Sequence, residues 1–130
     1  MDNLHELFGD AIASYSRAQA LKDGILVNVS SVAQEAGLKF PLALTRAVWG
    51  AYVEVQPGVI GQDEAGRLWD IVYMLRVAIR RGMGGDSLRY QLHVRNDNRE
   101  RIPPLVTLKA VCGPGDDAEP VLTVMLPDED

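Results

Sequence analysis

The chain has 130 residues, of which 47% are hydrophobic and 24% are charged, and its formal net charge is −5. These values are typical of a soluble protein that can bury a core without disulfides or metals, and we expect one domain over residues 1–130. No uncharged apolar stretch approaches the roughly 18 residues of a membrane span, and the first residues lack a secretory signal pattern. With a single cysteine, Cys112, no internal disulfide can form. The composition therefore predicts a cytoplasmic protein and excludes the transmembrane and collagen-like classes.

Charge is distributed unevenly along the chain. Residues 1–63 have a balance of −3, residues 64–112 of +4 and residues 113–130 of −6. Eight of the nine bases in the middle segment are arginines, and the last segment has six acids and no base. A basic middle segment thus precedes an acidic end, which indicates electrostatic contacts within the protein or with a partner.

The N-terminal half predicts short elements. Ser16 and Gly24 are suited to begin and end a helix over residues 16–23, and the β-branched run 25–29 predicts a short strand. Ser30 or Ser31 is then expected to cap a second helix that ends at Gly37.

A proline and a glycine-rich segment bracket the next predicted helix. Pro41 fits the first turn of a third helix over residues 41–53. Residues 56–66 contain three glycines and one proline, which predicts a loop or a small hairpin. From Leu68 onward apolar residues recur at spacings of three and four, which predicts the strongest helix of the chain over about 68–81.

The last third of the chain changes to strand periodicity. Apolar and polar residues alternate over 88–95, and two further β-rich runs cover 105–112 and 121–126. The expected fold class is therefore α+β, with N-terminal short helices and one long helix packed on a C-terminal three- to four-stranded antiparallel sheet. Residues 25–29 are the candidate fourth strand.

Residue patterns for metal, nucleotide or triad chemistry are missing. His5 and His93 are far apart in the sequence, and no second cysteine accompanies Cys112. The sequence also lacks a Gly-x-Ser-x-Gly elbow and a phosphate-binding glycine loop. We therefore expect no metal, no cofactor and no catalytic residue.

Two arginine–tryptophan pairings are candidates for partner binding. Arg46 and Trp49 lie in the third predicted helix, and Arg67 and Trp69 begin the long one. Arginine and tryptophan are enriched at the hot spots of protein interfaces. The alternative is that both helices use these residues for packing, the long one through a second face formed by Trp69, Tyr73, Arg76 and Arg80.

Acidic residues near the C-terminus form the second candidate for a partner-binding surface. Spaced negative charge can imitate a phosphate backbone and so attract a protein that normally holds nucleic acid. The alternative is that the acids fold back on the protein's own arginines or are simply solvated. The candidate residues are Asp116, Asp117, Glu119, Asp128, Glu129 and Asp130.

A basic sheet face offers direct nucleic-acid binding as an alternative function. It consists of Arg89, His93, Arg95 and Lys109. The net negative charge and the lack of aromatic residues alternating with these bases disfavour it, since single-strand platforms need stacking surfaces.

Seven stretches carry a resemblance to a known family. They resemble an uncharacterised bacterial family, a domain of unknown function carried by plasmids, phages and integrated mobile elements. The resemblance spans nearly the whole chain and implies a context without an activity. The stretches are MDNLHELFGD (1–10), YSRAQA (15–20), DG (23–24), ALTRAVW (43–49), GRLWD (66–70), GPGDD (113–117) and MLPDED (125–130).

Residues 12–24 carry a second resemblance that covers about a tenth of the chain. They are similar to the strand, short helix and glycine that open small ADP-ribosyltransferases, which implies a modifying enzyme as the alternative, although the downstream catalytic acid of those enzymes has no counterpart here. We expect instead a mobile-element accessory protein that binds a host or element-encoded protein, such as an inhibitor of a host defence or nucleic-acid-handling protein that acts through the acidic surface.

Overall fold

The computed structural model describes residues 15–82 and 84–129 and has an α+β fold, which confirms the expected class. Its elements alternate through the first half of the chain and end in three consecutive strands. In chain order they are α1 (Arg17–Lys22), β1 (Leu26–Asn28), α2 (Ser30–Glu35), β2 (Leu42–Thr45), α3 (Arg46–Val48) with one π-helical turn (Trp49–Val53), α4 (Glu64–Arg81), β3 (Ser87–His93), β4 (Leu105–Pro114) and β5 (Pro120–Met125).

The strands form one mixed sheet with the order β1-β2-β5-β4-β3. β3, β4 and β5 are the antiparallel meander that the sequence predicts. The expectation of a three- to four-stranded, wholly antiparallel sheet is wrong in two respects, because the sheet has five strands and its β2–β5 pair is parallel. β1 adds to β2 as an antiparallel edge strand, so the segment expected as a fourth strand does belong to the sheet.

β2 replaces the first part of the helix predicted over 41–53. Leu42, Ala43 and Leu44 are buried and Thr45 is half-buried in this strand, which pairs with β1 on one side and β5 on the other, so its residues show no alternation. The helix begins only at Arg46, where the side chain of Thr45 caps it by accepting a hydrogen bond from the Val48 amide at 3.3 Å. Tertiary pairing has overridden the helix propensity of alanine and leucine.

Caps at the N-terminal helices follow the prediction in one case and depart from it in the other. Ser16 caps α1 as expected by accepting from the Gln19 amide at 2.9 Å. α2 starts after Val29 without a serine cap; instead the side chain of Asn28 accepts from the Ser30 amide at 3.0 Å. Ser30 directs its hydroxyl to β2, where it accepts from the Leu42 amide at 3.0 Å.

α4 is the long helix that the periodicity predicts, and it begins four residues earlier than expected. Asp63 caps it by accepting from the Gly66 amide at 2.6 Å, so its first turn lies within the segment expected as a loop. It ends at Gly82, whose φ of 114° lies in a region that favours glycine.

The core lies between α4 and one face of the sheet. Ile71, Val72 and Leu75 of α4 are fully buried, as is Leu44 of the unexpected strand β2. Tyr90 joins helix and sheet, since its hydroxyl donates to the Ile71 carbonyl at 3.1 Å, and burial raises the pKa of this phenol far above its ordinary value. α4 is thereby fixed along β3, and it also contacts α2 and the π-helical turn.

Candidate functional site

The acidic residues lie at two separate places. Asp116, Asp117 and Glu119 are in the turn between β4 and β5, whereas Asp128 and Glu129 follow β5 at its other end. β5 has six residues, which at strand geometry separates the two groups by roughly 20 Å. Asp130 lies outside the described residues. The structure therefore does not bring the five described acids together as one surface.

Asp116 stabilises the start of α1. Its two carboxylate oxygens accept from the amides of Arg17 and Ala18 at 2.8 and 3.0 Å, which satisfies donors that the helix itself leaves unpaired. The Arg17 guanidinium reaches across β5 to Thr123 Oγ1 at 2.9 Å and the Leu122 carbonyl at 2.8 Å. Burial lowers the pKa of Arg17, and the charge of Asp116 acts in the opposite direction. This acid thus serves the fold.

Glu129 also makes internal contacts. Its Oε2 accepts from Thr45 Oγ1 at 2.8 Å and from the Leu126 amide at 2.7 Å, while its backbone carbonyl accepts from Lys109 Nζ at 2.6 Å. Asp117 and Asp128 are exposed, and Glu119 is half-buried. The acidic charge that remains available to a partner is therefore smaller than the sequence suggests.

In the pair Arg46–Trp49, the arginine is exposed but partly engaged in the fold, and the tryptophan is half-buried. Arg46 is exposed, and its Nε donates to the Gly24 carbonyl at 2.9 Å, which closes the turn between α1 and β1. Trp49 begins the π-helical turn and packs half-buried against the core.

Arg67 is the one charged residue in the core of the described chain, with 6% of its surface exposed. Its guanidinium donates to the carbonyls of Val53 and Arg95 at 3.2 and 2.5 Å, and to side-chain oxygens of Asn96 and Gln62 at 2.6 and 3.3 Å. Burial without a carboxylate lowers its pKa. These bonds hold three segments together and leave the guanidinium no face for a partner.

Trp69 and Tyr73, one helical turn apart on α4, remain exposed. They are 37% and 42% exposed, and their rings stack with centroids 6.0 Å apart. The second face of α4 that the sequence indicates is therefore divided, because Arg76 packs over Gly37 at the end of α2 while the aromatic pair faces solvent.

The basic sheet face is partly assembled. Arg89 pairs in register with Lys109 on the adjacent strand, and His93 lies on the same face with its Nδ1 2.7 Å from the Pro103 carbonyl. Arg95 instead holds the following turn through the carbonyls of Arg99 and Arg101 at 2.5 and 2.6 Å. Three of the four bases thus share a face, and the fourth stabilises a loop.

A groove of about 950 Å³ runs between α4 and β3. Its helix wall consists of Asp70, Tyr73, Met74, Val77, Ala78 and Arg81, and its strand wall of residues 88–93. Helical spacing alone could have placed the first set on one face, but only the sheet order shows that β3 lies at an edge.

Among residues 15–82 and 84–129, no three histidine, cysteine or acidic side chains lie close enough together to hold a metal ion. Over those ranges no helix combines the length and the apolar character needed to cross a membrane.

The comparisons with known proteins give a family and no function. Searches of the curated proteins and of the solved structures found no significant match. One family model, described as a family of unknown function, matches residues 1–130. With its whole length matched, the chain belongs to this family, DUF6573.

Proposed function

We propose that the protein is a binding protein carried by bacterial mobile elements, and that it acts by holding a host or element-encoded protein in the groove between α4 and β3. The sequence resemblance described above supports the mobile-element context. The proposal that the protein acts by binding another protein is supported by the exposed residues at this groove.

The single observation that carries the proposal is the stacked pair Trp69–Tyr73 at the groove. Tyr73 lines the groove, and Trp69 stacks on it one turn earlier in α4. Burying a large aromatic side chain away from water is favourable in free energy, and such side chains are enriched at the centres of protein interfaces. A partner that covers both rings would gain this burial.

The groove is also a better candidate than the acidic residues for the surface that binds a partner protein. Two of the acids, Asp116 and Glu129, are engaged in the fold, and the exposed Asp117 and Asp128 stand at opposite ends of β5. The groove, in contrast, presents aromatic, aliphatic and cationic side chains along one continuous surface.

The test is affinity capture from a lysate of the bacterial host with immobilised wild-type protein, followed by intact mass measurement of what is retained. Trp69→Ala and Tyr73→Ala remove the aromatic pair. Phe40→Ala is the matched control, because Phe40 is an aromatic residue of similar exposure, 45%, and lies outside the groove.

We expect wild type and the Phe40 variant to retain one protein stoichiometrically and with unchanged mass, and both groove variants to lose it. Equal retention by all four proteins would contradict the assignment of the groove. A retained or released protein whose mass has increased by one ADP-ribose would indicate a modifying enzyme instead.

A further inference from the structure

β3 has one hydrogen-bonding edge without a partner strand in the described part of the chain. The Cys112 amide donates to the Asp86 carbonyl at 2.8 Å, and the Val94 amide donates to the Pro104 carbonyl at 3.0 Å. Hydrogen-bonded pairs alternate along an antiparallel ladder, so the even-numbered residues of β3 bond to β4. The amides and carbonyls of Ser87, Arg89, Gln91 and His93 therefore point outward.

The two sides of this edge differ in chemistry. On the side of the core, α4 places Tyr73, Met74 and Val77 beside the strand. On the opposite face, the side chains next to the edge are those of Arg89, Gln91 and His93, all exposed. A chain laid along β3 would alternate its own side chains between these two environments.

Charge decides which occupant fits. Arg81 and Arg89 line the groove, Lys109 stands beside Arg89 in register, and Asp70 is the only acid among the described residues of the lining. Neither arginine forms an ion pair with another residue in the described ranges. A second copy of this chain would bring the same cations to the edge, whereas an acidic chain would neutralise them.

We propose that the free edge of β3 binds an extended segment of another protein by β-strand addition, and that this segment alternates apolar with acidic residues. The apolar side chains contact Tyr73, Met74 and Val77, and the acidic ones lie across from Arg89. The proposal rests on the proposed protein-binding function and adds the conformation and chemistry of the bound segment.

The test is amide hydrogen exchange in the full chain, measured by NMR with and without a synthetic peptide that alternates valine and glutamate. Without peptide, the outward amides of Arg89 and Gln91 should exchange fast and the inward amides of Tyr90 and Leu92 slowly. The peptide should slow the outward amides by at least about tenfold, while the inward ones change little.

Three control peptides separate strand addition from other modes of binding. A peptide with the same residues in two blocks, valines then glutamates, should bind at least about tenfold more weakly because it cannot match both sides of the edge. A lysine-for-glutamate peptide should not bind. Methylation of the backbone nitrogens that face β3 should abolish protection by removing the donors of the new ladder.

Matched protein variants test the same contacts from the other side. Arg89→Glu should weaken peptide binding by about tenfold, and Arg99→Glu, which alters an exposed arginine outside the groove, should leave it unchanged. Gln91→Pro deletes one outward amide at an edge position that tolerates proline and should also abolish binding. If that variant does not fold, the methylated peptide makes the same test.

Every outcome decides the proposal. Protection of the outward amides by the alternating peptide alone supports it. Peptide binding without that protection, no peptide binding, protection that grows with protein concentration alone, or protection by a single-stranded oligonucleotide would overturn it. If capture of a protein partner still depends on Trp69 and Tyr73, only strand addition is refuted, and the proposed function stands. If capture also fails, both are refuted.

Discussion

Replacement of Arg67 by methionine should destabilise the protein by about 2–4 kcal/mol. Methionine keeps most of the volume of the side chain and removes all four donated hydrogen bonds. The two short bonds, to the Arg95 carbonyl at 2.5 Å and the Asn96 side chain at 2.6 Å, dominate, because each is charge-assisted, short and part-buried. Each bond of this kind contributes about 1.5–3 kcal/mol, and the acceptors left behind lose their partner.

Desolvation acts against this estimate and sets its upper limit. The lowered pKa of Arg67 shows that the protein disfavours the buried cation, so its removal recovers part of what the hydrogen bonds contribute. For this reason the predicted loss is well below the sum of the individual bonds.

Urea unfolding followed by circular dichroism is the assay, with Arg99→Met as the control. Arg99 is an exposed arginine in the turn after β3, and its substitution should change the free energy of unfolding by less than about 0.5 kcal/mol. An Arg67→Met protein as stable as wild type, or more stable, would show that desolvation outweighs the bonds and refute the reasoning.

Three further predictions concern stability. Leu75→Ala should lower the free energy of unfolding by about 2–5 kcal/mol, because Leu75 is fully buried at the centre of α4, and a loss below about 0.5 kcal/mol in urea melts would contradict the placement of the helix. Asp116→Ala should cost about 1 kcal/mol through the loss of the two hydrogen bonds that its carboxylate accepts from the Arg17 and Ala18 amides, whereas Asp117→Ala should be neutral within about 0.5 kcal/mol, and equal losses would show that these bonds contribute nothing. Since burial raises the pKa of Tyr90, only the unfolded state loses that proton as the pH rises above about 10, so stability falls there by about 1.4 kcal/mol per pH unit. Tyr90→Phe should remove this slope in urea melts between about pH 9 and 11, and equal slopes in the two proteins would refute the assignment.

The sequence predicts well those elements in which the spacing of apolar residues matches the spacing of buried positions. α4 buries one stripe of residues at spacings of three and four, and β3 alternates along its length, so both patterns are visible in the sequence. β2 fails this condition. Its first three residues are buried between neighbouring strands, and a short apolar run after Pro41 is equally compatible with a helix. Only the pairing with β5 decides between the two.

The candidate site was harder to predict because its defining property is that no other strand among the described residues pairs with the outer edge of β3. The sequence identifies Arg89 and His93 as surface residues and Trp69 as a recognition residue. It does not contain the strand order, which determines that β3 is at the edge of the sheet and that α4 lies beside that edge. Arg67 shows the reverse case. An arginine two residues before a tryptophan at a helix start resembles an interface residue, yet its guanidinium is bonded to backbone carbonyls and to side-chain oxygens of the protein itself.

The parallel β2–β5 pair has a consequence for the order of folding. Leu42 pairs with Leu122, so the middle of the sheet joins segments separated by α4 and by two strands of the meander. The β3–β4 hairpin can form from residues close in sequence, but β1 and β2 have no sheet to join until β5 has been synthesised. Until then the apolar edge of β2 is exposed to association with other chains. Closure of the β2–β5 pair therefore completes the sheet and removes this exposed edge.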